Sequence, residues 1–158
     1  MPNSNHTPPT FRPSVVGILQ DSEGRVLIGE RVNMPGAWQF PQGGVNEGES
    51  REGALARELG EELSLKRGDY RLIESKGPYR YLLGNGRKKK GFDGQEQHYY
   101  LAAMIAPDSV IDVKTKEQEF STTRWIRPEE FELAWLPEFK RDVYRAVLRD
   151  LFGIIKGS

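Results

Sequence analysis

The chain has 158 residues, 23 lysines and arginines against 23 aspartates and glutamates, and no cysteine. That length suits one domain able to bury a core without staples, and zero net charge excludes whole-molecule attraction to nucleic acid or a membrane surface. The missing cysteines exclude zinc-thiolate sites, thiol nucleophiles and disulfides.

Residues 1–10 are polar, with Pro2, Pro8 and Pro9, and read as a flexible N-terminal tail before a single domain over 11–158. Asn5-His6-Thr7 matches a glycosylation sequon, which without a secretory leader is a chance match. No apolar run approaches the roughly 18 residues of a spanning helix, so the expected address is the cytoplasm. Residues 15–19 and 26–28 are short aliphatic runs around Asp21-Ser22-Glu23-Gly24, a hairpin pattern. Trp38-Gln39-Phe40 predicts a short strand entering a backbone-permissive loop, Pro41-Gln42-Gly43-Gly44. Ser50 caps a helix predicted over residues 51–63, with Leu55, Leu59 and Leu63 as its buried stripe. Strands follow at 70–75, 79–83, 97–105 and 122–126. Pro128 opens a short helical turn, and Pro137 precedes a helix with Phe139, Val143, Val147, Leu148 and Leu151 on one face. Mixed strands with a central and a C-terminal helix predict an α/β sandwich.

Chemistry concentrates in the first helix. At about 100° per residue, Glu58, Glu61 and Glu62 fall within an arc of about 100°, beside the leucine stripe. Like charges at that spacing repel, and Gly60 among them costs about 1 kcal/mol relative to alanine. A hard divalent cation such as Mg2+ compensates such a face, since it takes oxygen ligands and keeps waters for substrate exchange. A solvated acidic face is the plain alternative for Glu61-Glu62 alone.

The wider pattern from Gly43 through Glu49, Arg57-Glu58-Leu59, Glu61-Glu62 and Leu65 resembles the Nudix box. Ser64 stands where that family has glycine. The resemblance implies an α/β/α sandwich with a mixed central sheet, and phosphoanhydride hydrolysis with two to three Mg2+ (or Mn2+) ions. It makes Glu58, Glu61 and Glu62 metal-binding carboxylates and Glu49–Arg57 a bracing charge pair, and the Gly-Gly pair lets the carbonyl of Gly43 or Gly44 serve as a further ligand.

Further segments resemble bacterial RNA 5′-pyrophosphohydrolases and the related diadenosine polyphosphate hydrolases. They are Phe11-Arg12-Pro13, Trp38 to Gly44, Gly94-Gln95-Glu96-Gln97, Glu119-Phe120, Trp125 and Phe139 to Arg145. By that resemblance Glu119 is a fourth carboxylate, with Glu117 its competitor. Arg12, Arg31 and Gln39 are substrate contacts, and Phe139 and Lys140 part of a base-holding cleft. The expected substrate is the 5′ end of triphosphorylated RNA. Dinucleoside polyphosphates are the alternative, followed by free nucleoside triphosphates or a non-catalytic nucleotide sensor. Neither membrane nor DNA is an expected partner, and the oligomeric state is open. Arg87-Lys88-Lys89-Lys90 forms a basic loop that is either solvated or steers polyphosphate. His98 reads as structural or binding, and Tyr79, Tyr81, Tyr99 and Tyr100 as core or a stacking face.

Overall fold

The computed structural model describes residues 7–157. The expectation for the N-terminal tail therefore lies, for residues 1–6, outside the described residues, and the sequon falls largely there too. Residues 7–10 carry no helix or strand, and Thr10 is tied to Asp93 by its N–H and its hydroxyl, at 2.8 and 3.2 Å.

Among the described residues, four strands precede the first of two long helices and three more strands precede the second. They are β1 (Phe11–Gln20), β2 (Val26–Arg31), β3 (Trp38–Gln39), β4 (Gln42–Gly44), α1 (Arg51–Leu63), β5 (Tyr70–Leu82), β6 (Gly94–Met104), β7 (Phe120–Ile126) and α2 (Glu138–Phe152). The sheet runs β3-β2-β1-β6-β5. β1 and β6 are parallel over ten register pairs, from Phe11↔Gly94 to Gln20↔Ala103, and every other pairing is antiparallel.

The sheet forks at β1 and β2. β6 occupies one whole edge of β1, and the other edge is divided between β4 at Ser14–Val16 and β2 at Gln20. β7 likewise lines one edge of β2, opposite β1 and β3. Pro41 to Gly44, expected as a loop, is in part strand β4, because the free edge of β1 offers its backbone partners.

Alternation along the central strands builds two cores. Val16 and Ile18 of β1 and Tyr99 and Leu101 of β6 face α2, packing with Val143, Tyr144, Val147 and Leu148. Val15, Leu19, Tyr100 and Ala102 face α1, packing with Leu55, Leu59 and Leu63. A strand's two-residue period sends neighbours to opposite faces. The layers are thus α/β/α around a mixed sheet. Tyr81, Tyr99 and Tyr100 are core residues, as their alternation in strands suggested.

Local chemistry sets the helix ends. The Ser50 hydroxyl accepts the Gly53 N–H at 3.0 Å, capping α1. Ser64 itself takes the left-handed conformation (φ 64°) at the other end. Its N–H donates to the Gly60 carbonyl, the Leu65 N–H donates to Leu59, and its hydroxyl donates to the Asp112 carbonyl at 2.8 Å. The helix therefore stops in the same way a glycine would stop it, with the side-chain bond offsetting the backbone strain.

Two expected strands, 70–75 and 79–83, are one strand, β5, whose register shifts twice against β6. Those shifts absorb the residues that look like a break in the sequence. Finally, Phe40 stacks on both Phe131 and Tyr144, at 5.4 and 5.3 Å, in a cluster whose other two rings also touch at 5.1 Å, and its N–H donates to the Tyr144 hydroxyl at 3.1 Å. This pins the chain just before β4.

Candidate functional site

A cleft of about 890 Å³ opens where α1, β4, the start of β1, the end of β2 and the start of α2 meet. Glu58, Glu61, Glu62 and Glu119 line it, as do Gly43, Arg12, Arg31, Gln39 and Lys140. Those expected site residues, drawn from distant parts of the chain, therefore share one concavity. Arg57 lines it as well, and Glu49 reaches it through Arg57.

The acidic side is built on α1. Arg57 holds both Glu49 oxygens, Nε at 2.9 Å and Nη2 at 3.0 Å, and donates from Nη2 to the Gly44 carbonyl at 2.8 Å. The Glu49 carboxyl also accepts the Asn46 N–H at 3.0 Å. Together the Arg57 hydrogen bonds, followed by that backbone bond, hold it down to about 2. The loop before α1 is thereby clamped to the helix, as the bracing pair implied. Arg57 Nη1 also donates to Glu58 at 2.6 Å and to Glu61 at 3.2 Å.

Glu62 lies deepest, 2% exposed, with Oε2 buried and without a hydrogen-bond partner among the described residues. Burial first, then a hydrogen bond and the charge of Glu58, then the charge of Glu119, push its carboxyl far above the carboxylate range. The Gln42 backbone N–H acts the other way. Glu58 presses against backbone: a Cβ on Gly43 would sit 1.9 Å from its carboxyl carbon, so any side chain there would push the Glu58 carboxylate from this place. A Cβ on Gly44 would likewise sit 2.1 Å from the Arg12 guanidinium.

The four carboxylates do not converge into a ready-made ligand triad among the described residues, because Arg57 draws Glu58 and Glu61 to itself. The donor set nevertheless fits a hard divalent cation. It is all oxygen, one buried carboxylate oxygen has no partner, and a bare glycine backbone borders Glu58.

The opposite side is basic. Lys140 is 9% exposed and makes no ion pair among the described residues. Burial, then the charges of Arg31 and Lys89, bring its ammonium down to about 8. Lys89 is lowered by burial and by Arg12 and Arg31. The expected apolar face of α2 thus has Lys140 at its edge, turned into the cleft.

The basic loop divides its residues between two jobs. Arg87 stacks 5.4 Å over the Phe139 ring and donates to the Leu83 carbonyl at 2.6 Å, and Lys88 pairs with Asp93 at 2.7 Å. Only Lys89 and Lys90 line the cleft. Phe139, expected at a base-holding cleft, does not line it; its ring packs with Tyr81 and with Arg87.

Glu117 and Glu119 both line the cleft, but Glu119 is the one whose charge reaches Glu62. The Val32 N–H donates to the Glu119 carbonyl at 2.8 Å, which places this residue beside Arg31. His98 is not a lining residue; burial and Arg51 lower its imidazole. Ser14, Gln42 and Gln95 line the cleft without having been assigned a role from sequence. The only signal for the two glutamines was their place in family-like segments.

Comparison with known proteins agrees with this geometry. The family model described as the NUDIX domain matches residues 10–147. The chain is 42% identical over 146 residues to the RNA pyrophosphohydrolase of Teredinibacter turnerae, covering 89% of this chain and 85% of that one. It is 39% identical over 155 residues to the RNA pyrophosphohydrolase of Sphingopyxis alaskensis, covering 94% and 97%. Among solved structures, the E. coli dihydroneopterin triphosphate pyrophosphohydrolase superposes with TM-score 0.66 at 18% identity, over 90% of this chain and 97% of that one. A C. elegans Ap4A hydrolase binary complex gives 0.62 at 20% identity, over 90% and 99%. At those identities the two structures speak for the fold alone.

Proposed function

The chain belongs to the NUDIX domain family, and from that premise we propose that it removes pyrophosphate from the 5′ end of triphosphorylated RNA, leaving a 5′-monophosphate. Its relatives' names supply the RNA, and the cleft supplies the chemistry. One observation carries the reading: a single cleft sets the carboxylates of Glu58, Glu61, Glu62 and Glu119 against the cations Arg12, Arg31, Lys89 and Lys140.

Such an arrangement suits a polyphosphate. Arg12 and Arg31 offer forked, permanently charged donors, and Lys89 and Lys140 offer point charges to the remaining oxygens. These cations sit close together and none makes an ion pair among the described residues, with only the charge of Glu119 acting on Lys89, so a polyanion relieves their mutual repulsion. Nudix hydrolases work with divalent metal ions, and here Glu58, Glu61, Glu62, Glu119 and the Gly43 carbonyl would hold two to three Mg2+ or Mn2+. When bound, such ions neutralise phosphate oxygens and acidify a water for in-line attack.

The chain's own residues do the rest. Arg57 holds Glu58 and Glu61 at the cleft wall while bracing the Gly44 carbonyl. A carboxylate of the cluster accepts the proton from the attacking water, and the cationic side steadies the departing pyrophosphate. Among the described residues no helix is long and apolar enough to cross a membrane, and a cytoplasmic location where nascent RNA is present fits the substrate.

The test is a competition assay in Mg2+ with 5′-triphosphorylated RNA, diadenosine tetraphosphate and ATP at matched concentrations. The reading expects much the highest kcat/KM on the RNA. A preference for the dinucleotide would keep the metal site and overturn RNA as the substrate.

A further inference from the structure

Beneath the cleft floor runs a chain of side-chain amides to which the steps above assign nothing. Ser14, Gln42 and Gln95 line the cleft, whereas Gln97, 1% exposed, lies one layer below. Gln97 Nε2 donates to Gln42 Oε1 at 3.0 Å, with longer contacts to Gln95 Oε1 and Ser14 Oγ, both at 3.4 Å. The Tyr99 hydroxyl donates to Gln97 Oε1 at 2.8 Å, and Tyr99 is fully buried.

The phenol sets the direction of the whole chain. Were Gln97 turned over, its amide would donate to the Tyr99 oxygen and the buried phenolic proton would lose the acceptor it has here. In the orientation that satisfies Tyr99, Gln97 offers N–H groups to Gln42 and Gln95. Both must then turn their carbonyl oxygens inward, which leaves their own NH2 groups for the cleft. Neither Nε2 has a partner among the described residues, and neither is sealed from solvent.

These donors stand next to the acidic side. The Gln42 backbone N–H donates to Glu62, and the next residue, Gly43, abuts Glu58. A lysine or arginine there would pair with those carboxylates and compete with a cation for them. An amide donates hydrogen bonds without bringing that charge.

We propose that Gln42 and Gln95 hold non-bridging phosphate oxygens of the substrate with their amide N–H groups, and that Tyr99 and Gln97 are positioning residues that fix which way those amides face. This rests on the cleft being a polyphosphate site and does not require that the polyphosphate be RNA.

The experiment titrates inorganic tripolyphosphate calorimetrically, with Ca2+ in place of Mg2+, into wild type and three variants, alongside kcat/KM on 5′-triphosphorylated RNA. Gln95→Leu removes one donor to a charged group and raises the tripolyphosphate Kd about tenfold. Gln97→Glu draws the amide N–H groups inward, turns oxygens toward the cleft, and weakens binding by at least as much. Tyr99→Phe frees Gln97 to flip, so a half-populated productive orientation raises Kd about twofold. Thermal unfolding reports folding of each variant, and should Gln97→Glu fail to fold, Gln95→Leu and Tyr99→Phe still decide. The Mn2+ affinity of Gln95→Leu stays at the wild-type value, which a general distortion of the site would lower.

The proposal is overturned if Gln95→Leu binds tripolyphosphate like wild type, if its Mn2+ affinity falls in step, if Tyr99→Phe binds as tightly as wild type, or if a folded Gln97→Glu does so. It is also overturned if the variants lose RNA turnover in a manner set by the 5′ base while tripolyphosphate binding is untouched. If tripolyphosphate binding follows the expected order but RNA is not a substrate, the amide relay stands and the RNA reading falls.

Discussion

On the acidic side of the cleft, Glu58, Glu61 and Glu62 come from a single capped helix, and one arginine, Arg57, touches two of them and the Gly44 backbone. On the basic side, Arg12, Arg31, Lys89 and Lys140 come from β1, β2, the β5–β6 loop and α2. The first wall is one rigid object whose parts act together. The second is assembled by the tertiary fold from four independent contributions. The contrast predicts how each wall fails: the helix wall should fail as a unit, and the assembled wall piece by piece.

The sharpest way to probe the contrast is Glu62→Gln, which is nearly isosteric. Losing one carboxylate of the proposed metal site should cost several kcal/mol of transition-state stabilisation, about three orders of magnitude in kcat on triphosphorylated RNA. Thermal unfolding should show the fold retained. Turnover within tenfold of wild type would remove Glu62 from the proposed site.

Arg12→Ala should act more mildly, raising KM about tenfold through loss of a charged hydrogen-bond donor, with kcat little changed. Steady-state kinetics separates the two parameters. A collapse of kcat would mean that the basic wall is as concerted as the acidic one, and the comparison would break.

Lys140 adds a pH dependence. Its ammonium, lowered from 10.5 to about 8 by burial and by Arg31 and Lys89, is charged below that value and neutral above it. KM should therefore rise a few-fold, about the weight of one partly screened charge, as pH climbs through about 8. The rise should vanish in Lys140→Gln, whose KM at pH 7 already matches the alkaline wild-type value. An identical KM–pH profile in the variant would assign that titration elsewhere.

Tyr144→Phe should have the smallest effect on turnover and a visible one on stability. It strands the buried Phe40 N–H, at a cost of about 1–3 kcal/mol readable by urea unfolding. If instead kcat falls more than tenfold with stability unchanged, the Phe40 anchor serves the acidic wall directly through β4.

The same contrast explains what could be read from the sequence. The glutamate face of α1 was legible because residues four apart share a helix face, so spacing alone places Glu58 beside Glu62. Ser50 as cap and the leucine stripe followed from the same periodicity. Glu119 and Arg12 were reached through family resemblance, since nothing local ties a loop glutamate or a first-strand arginine to a helix far along the chain. The split within Arg87 to Lys90 was illegible: Arg87 is spent on the Phe139 ring and Lys88 on Asp93, choices made by loop geometry. Phe139 shows the cost, for its ring packs against Tyr81 and does not line the cleft. The two glutamines that line the cleft were hidden for another reason. Their direction depends on strand register, on Tyr99 and on which end of an amide is satisfied, none of which has a sequence period. β4 and the unbroken β5 were missed because strand partners and bulges, unlike helix faces, are set by distant chain.

The parallel pairing of β1 with β6 has a consequence for how the chain is made. Phe11 meets Gly94 and Gln20 meets Ala103, partners 83 residues apart in each case. At about 5–20 residues per second, the ribosome delivers β6 roughly 4–17 s after β1. During that interval Val15, Val16, Ile18 and Leu19, all fully buried in the finished sheet, have only part of their final cover. The nascent chain should then be an open, chaperone-accessible species whose sheet closes late in synthesis. Ribosome-arrested chains ending before β6 should be cut readily by protease within β1, and chains extending past α2 should resist.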